Sequence, residues 1–108
     1  MYLYEVIRWG NDAPDDDPTG GPDGPDTCFL VRAGSLEEAA ALVDVVLKRL
    51  PQQNKRVSRY ARALYLLGTD SGSSTEARVL RGPYIQSAYN YGWQIWHRDD
   101  PDGTWEEQ

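Results

Sequence analysis

Cysteine, histidine, methionine and phenylalanine each occur once in this 108-residue chain, and each scarcity excludes something. A single thiol, Cys28, forms no internal disulfide, and one cysteine with one histidine, His97, supplies too few ligands for a zinc site. No apolar run approaches the roughly 18 residues of a membrane span. The opening MYLYEVIRW carries Glu5 and Arg8 where a signal peptide would need an unbroken apolar core, so a soluble, cytoplasmic protein is expected. There is no phosphate-loop lysine motif and no dinucleotide glycine pattern. No cofactor or metal is implied.

What is present is ordinary globular composition, 40% hydrophobic and 26% charged, enough for one domain with one modest core. The net charge of −6 is unevenly spread. Residues 1–50 hold ten acids against four bases, residues 51–98 two acids against seven bases, and residues 99–108 five acids and no base. Such segregation either builds opposed surface patches or is neutralised where the segments meet in the fold.

YLYEVIRWG (2–10) is short, aromatic and β-branched, and reads as a strand. The acidic stretch 11–26, NDAPDDDPTGGPDGPD, is broken by Pro14, Pro18, Pro22 and Pro25 and by Gly20, Gly21 and Gly24, and reads as a long loop. TCFLVRA (27–33) is the next strand, with Phe29 and Val31 on one face and Cys28 and Leu30 on the other. The two strands are expected to pair as an antiparallel hairpin.

SLEEAAALVDVVLKRLP (35–51) carries the clearest pattern. Ser35 with Glu38 fits a capping box, and Leu36, Ala39, Ala40, Val43, Val46, Leu47 and Leu50 form an apolar stripe at helical spacing. Acids early and Lys48 and Arg49 late suit the helix dipole, and Pro51 ends the helix. VSRYARALYLL (57–67) fits either period. A strand is preferred because it returns the chain to the sheet, with Ala61, Ala63, Tyr65 and Leu67 beneath the helix. ARVLRG (77–82) reads as a strand pairing back with it, GPYIQSAYNYG (82–92) as a short helix begun at Pro83, and WQIWHRD (93–99) as a last strand.

The expected fold is α+β: a small antiparallel or mixed sheet, one layer thick, covered by one long and one short helix. The order is ferredoxin-like, split βαβ, with an extra N-terminal strand. Residues 1–99 form the domain, and 100–108 an acidic tail.

Four sets of residues are candidates for function. Asp15, Asp17, Thr19, Gly20, Asp23 and Asp26 fall at positions 1, 3, 5, 6, 9 and 12 of a calcium loop, but Asp replaces the closing Glu, prolines stiffen the loop, and the flanks read as strands instead of helices. A solvated connector ranks first for this loop, a lure for a basic partner second, and a calcium site third. Asp70-Ser71-Gly72 resembles the D-[ST]-G turn of aspartic proteases, which implies a homodimeric enzyme. The single short copy lacks the apolar residues that precede the Asp in that turn. Cys28 and His97 are the lone nucleophile and base. Finally, Lys55, Arg56, Arg59, Arg62, Arg78 and Arg81, with aromatics including Tyr60, Tyr84, Tyr89, Tyr91, Trp93 and Trp96, fit a nucleic-acid surface, against which stands a pI of about 4.6.

The expectation is therefore a non-catalytic module that binds another protein, with an inhibitor or immunity-type protein for a basic partner as its narrower form. Asp15, Asp16, Asp17, Asp23 and Asp26 provide attraction, and Tyr84, Tyr89, Tyr91 and Trp93 provide contact. A nucleic-acid-binding domain is the alternative, and an aspartic protease-like homodimer the remote one.

Overall fold

The first strand, β1 (Tyr2–Arg8), takes the middle of the sheet and is paired on both sides. A computed structural model describes residues 1–10, 26–49, 59–70, 72, 76–85 and 94–107. Within them the elements are β1, β2 (Thr27–Ala33), α1 (Leu36–Arg49), β3 (Ala63–Thr69), β4 (Arg78–Ile85), β5 (Gln94–His97) and β6 (Glu106–Glu107). They form an α+β fold with a six-stranded sheet of order β4-β2-β1-β3-β5-β6, antiparallel at every pairing. No described helix is long and apolar enough to cross a membrane.

β1 and β2 pair from Tyr2↔Ala33 to Arg8↔Thr27 without a break, the hairpin expected from their sequences. β2 and β3 run parallel to one another on either side of β1, and α1 carries the chain between them. This is a split βαβ unit, but the strand that splits it is the N-terminal one. The ferredoxin-like order is not observed. β4 does not turn back onto β3; it crosses to the far side and pairs with β2, from Thr27↔Ile85 to Arg32↔Arg78. The short helix expected from Gly82 is also not formed over the described part of that segment, because Gly82–Ile85 continues β4. Residues 86–92 lie outside the described residues.

Helix α1 follows its sequence signals closely. The Glu38 amide donates to Ser35 Oγ at 3.2 Å, and Glu38 Oε1 accepts from the Gly34 amide at 2.8 Å, one residue earlier than the usual capping box. Ala39, Ala40, Val43 and Leu47 are buried against Tyr4, Val6, Phe29, Val31, Ala33 and Leu64, while Leu36 and Val46 flank them. Leu50 lies outside the described residues.

β3 is a strand, but it begins at Ala63 and its phase is opposite to the expected one. Register against β1 sets Leu64 beside Val6 and Leu66 beside Tyr4, so the leucines pack under the helix while Ala63 and Tyr65 take the other face. That second face is also closed at its centre: Glu5, Ile7 and Cys28 are 2%, 4% and 0% exposed. The acidic tail adds β6, which pairs Glu107 with Trp96 and Glu106 with His97, and Trp105 packs against the core.

Gly82 marks a close approach of β4 to β2. It has φ +133°, and a methyl group there would lie 2.6 Å from Phe29 Cδ1 and 2.9 Å from the Cys28 carbonyl oxygen. Gly82→Ala is expected to destabilise the fold by about 2 kcal/mol or more in urea denaturation. Gly34→Ala, whose new methyl meets only Glu38 Oε1 at 3.6 Å, should stay near neutral. Equal midpoints for the two variants would mean that β4 is free to move off β2.

Candidate functional site

Of the nine residues expected to bind a partner, two lie among the described residues. Asp26 is exposed, and its Oδ1 accepts from the Gly10 amide at 2.9 Å, tying together the ends of β1 and β2. Tyr84 is half-buried, and its phenol donates to Glu5 Oε2 at 3.0 Å across β2. Burial, and then the Glu5 charge, raise its pKa far above that of an ordinary phenol. The Arg81 guanidinium lies 5.1 Å from its ring. Tyr84 thus anchors the sheet instead of standing out from it. Asp15, Asp16, Asp17, Asp23, Tyr89, Tyr91 and Trp93 lie outside the described residues.

The register separates the lone nucleophile and base. Cys28 is level with Ile7, Ile7 with Ala63 and Ala63 with His97, which puts three strand spacings, about 14 Å, between them. Asp70 is held as a turn residue. Its Oδ1 accepts from the Gly72 amide at 2.9 Å and its Oδ2 faces Arg32 Nη1 at 3.4 Å, while Arg32 Nε donates to the Glu76 carbonyl at 2.7 Å. The Gly72 hydrogen bond above all, with Arg32 behind it, holds the carboxyl below the usual range. Among the described residues no group of His, Cys, Asp and Glu is arranged to hold a metal.

The basic middle segment divides. Arg59, Arg78 and Arg81 are exposed, whereas Arg62 is 7% exposed with its guanidinium 4.1 Å from the Trp9 ring. Lys55 and Arg56 lie outside the described residues. Arg98, also 7% exposed, is the hub of a cluster that no local spacing announces. It bonds Asp44 Oδ2 at 2.6 Å, the Ala61 carbonyl at 2.8 Å and the Pro101 carbonyl at 2.9 Å, and it lies 4.6 Å from the Trp105 ring. Asp44 uses its other oxygen to accept from the Ala61 amide at 2.7 Å. Tyr60 completes the group: its hydroxyl donates to the Asp99 carbonyl at 2.7 Å and accepts from Arg62 Nη1 at 2.8 Å, with both guanidiniums within 6 Å of its ring. The partners are 37 to 54 residues apart in sequence for the Arg98 bonds to Ala61 and Asp44, so only the fold brings them together.

Outside this cluster, two groups of exposed charge lie at opposite edges of the sheet. Asp99, Asp100, Asp102, Glu106 and Glu107 are exposed at the β5–β6 end. Arg78 and Arg81 are exposed on β4, the opposite edge, five strand spacings or about 24 Å away.

Asp44→Ala removes the counter-ion of a buried guanidinium and the acceptor of the Ala61 amide, and is expected to cost about 3 kcal/mol in urea denaturation. Lys48→Ala, one turn along the same helix and exposed, should stay within about 0.5 kcal/mol. A similar midpoint for both would show the bridge to be screened by solvent. For Asp70, an NMR pH titration should place its native midpoint below the ordinary 3.8, and Arg32→Ala should raise it without restoring 3.8, since the Gly72 bond remains. Because the native value is the depressed one, the stabilisation is complete above 3.8 and is lost as pH falls through the lower native value. Full return to 3.8 on removing Arg32 would assign the whole effect to the ion pair.

Set against known proteins, the chain matches no family model, no curated protein and no solved structure.

Proposed function

We propose that this chain is a non-catalytic module that binds a basic protein partner. The observation that carries this reading is the sorting of charge by edge. The five carboxylates of the β5–β6 end face solvent, while Arg62 and Arg98 beside them are buried and engaged inside the fold; of the other nearby bases, Lys48 and Arg59 share a cleft with Asp102, and His97 lies 3.8 Å from Glu106. Asp99 does lie 3.8 Å from Arg62, but its side chain is 86% exposed and such a contact neutralises little. Carboxylates grouped at one end of a rigid sheet attract a cationic surface over several ångströms and orient its approach. The loop acids Asp15, Asp16, Asp17, Asp23 and Asp26 belong to the same proposal as a second source of attraction, and Tyr89, Tyr91 and Trp93 as contact residues. An inhibitor or immunity-type protein that neutralises a basic toxin or nuclease is its narrower form.

The test is capture from cell extract with wild-type chain and with a quadruple variant, Asp99→Asn, Asp100→Asn, Glu106→Gln and Glu107→Gln. A protein retained by the wild type should be lost by the variant. Its association rate with the wild type should fall about tenfold or more between low and physiological salt. Equal capture by both forms would overturn the edge as the docking surface. Capture of nucleic acid that is lost on Arg78→Ala with Arg81→Ala would replace this reading with the nucleic-acid one.

A further inference from the structure

Beside the Arg98 cluster lies a cleft of about 370 Å³, between the last turn of α1 and the turn that joins β5 to β6. Lys48 and Arg59 line it on the helix side, Pro101 and Asp102 on the turn side, and Asp44 and Tyr60 complete the lining. We infer that this cleft binds a small zwitterion of the α-amino acid class, with the ligand carboxylate at Lys48 and the ligand ammonium at Asp102.

The argument rests on which charges are already used. Asp44 lines the cleft, but both its oxygens are engaged, by Ala61 and by Arg98. Tyr60 likewise has its hydroxyl held between the Asp99 carbonyl and Arg62. Lys48 and Asp102 differ. Among the described residues neither the Lys48 ammonium nor the Asp102 carboxylate has an ion-pair partner, although the two line the same cleft. Opposite charges held apart across a gap match a ligand that carries both signs. A simple anion placed there would face Asp102, and a simple cation would face Lys48 and Arg59. The volume is at the small end for ligand sites, and the Tyr60 and Pro101 side chains offer apolar surface to the body of an amino acid.

Both walls are fixed in advance. The turn is pinned by Arg98 Nη1 on the Pro101 carbonyl at 2.9 Å, by the Asp102 amide on Asp100 Oδ1 at 3.0 Å, and by the Gly103 amide on the Asp100 carbonyl at 3.0 Å. The opposite wall is a helix, with Arg59 Nη2 3.5 Å from the Lys48 carbonyl. The backbone of both walls is thus set before a ligand arrives, and the side chains of Lys48 and Asp102 are what binding has to order.

The experiment is a proton–nitrogen NMR titration of the whole chain with three probes: L-phenylalanine, 3-phenylpropionate and 2-phenylethylamine. Phenylalanine should give saturable shifts at Lys48, Tyr60 and Asp102, and each singly charged analogue should bind at least fivefold more weakly. Lys48→Ala should weaken phenylalanine and 3-phenylpropionate while sparing 2-phenylethylamine; Asp102→Asn should weaken phenylalanine and 2-phenylethylamine while sparing 3-phenylpropionate. Both side chains are exposed, so the spectra away from the cleft should be unchanged. Absence of saturable shifts with phenylalanine, or equal affinity for 3-phenylpropionate, would overturn the assignment. A double variant, Glu106→Gln with Glu107→Gln, removes edge carboxylates but leaves Asp100, Lys48 and Asp102 in place and should still bind phenylalanine, so failure of the protein-binding proposal and failure of this one are separable.

Discussion

Asp44 joins three parts of the chain that are distant in sequence. It projects from α1, receives the amide that leads into β3, and neutralises an arginine that follows β5 and holds the carbonyl of the next turn. A carboxylate with one oxygen on a backbone amide and the other on a guanidinium has little freedom to shift, so the helix is fixed along the sheet as well as against it. Hydrophobic contact between Val43, Leu47 and the strands supplies most of the attraction, but it is non-directional. The charged bonds of Asp44, midway along the helix, supply direction. The placement of Tyr60 and of the Asp99–Gly103 turn depends on this anchor.

The elements legible in the sequence were those whose signals are local. Ser35 and Glu38 lie within one helical turn, and the stripe from Leu36 to Leu47 repeats at a fixed spacing, so α1 declares itself without its neighbours. The β1–β2 pairing was equally legible, from two short β-branched segments joined by a stretch that proline excludes from regular structure. Local signals mislead where pairing is decided at a distance. Nothing within ARVLRGPYI distinguishes pairing with the preceding strand from pairing with β2, and the Gly82-Pro83 step resembles a helix start until Tyr84 is seen bonded to Glu5. The phase of β3 depended on whether Leu64 or Ala63 lies next to Val6, a question of register with β1. β6 is two residues long and owes its conformation to β5.

The candidate site divides in the same way. The acidity of residues 99–107 is plain in the sequence, whereas the burial of Arg62 and Arg98 is not, since an arginine between aromatic residues reads equally as surface or as core. That difference decides whether the acidic tail is neutralised from within or remains open to a partner. The same fact changes the meaning of the basic middle segment, which reads as one patch along the chain but divides into inward and outward members in the fold. Tyr84 shows the reverse: proposed as contact surface, it is bound to a carboxylate buried in the middle of the sheet.

The central place of β1 has a consequence for how the molecule assembles. Tyr2 is level with Ala33 on one side and Thr69 on the other, so a growing chain makes its middle strand before either neighbour exists. β2 is the first neighbour to be synthesised, and until β3 follows one side of β1 has no partner strand. The outer strands can then be added, β4 on one flank and β5 with β6 on the other. Long separations between paired residues make such a sheet slow to complete, and a β1 edge without its neighbour is one to which a strand of another chain can add.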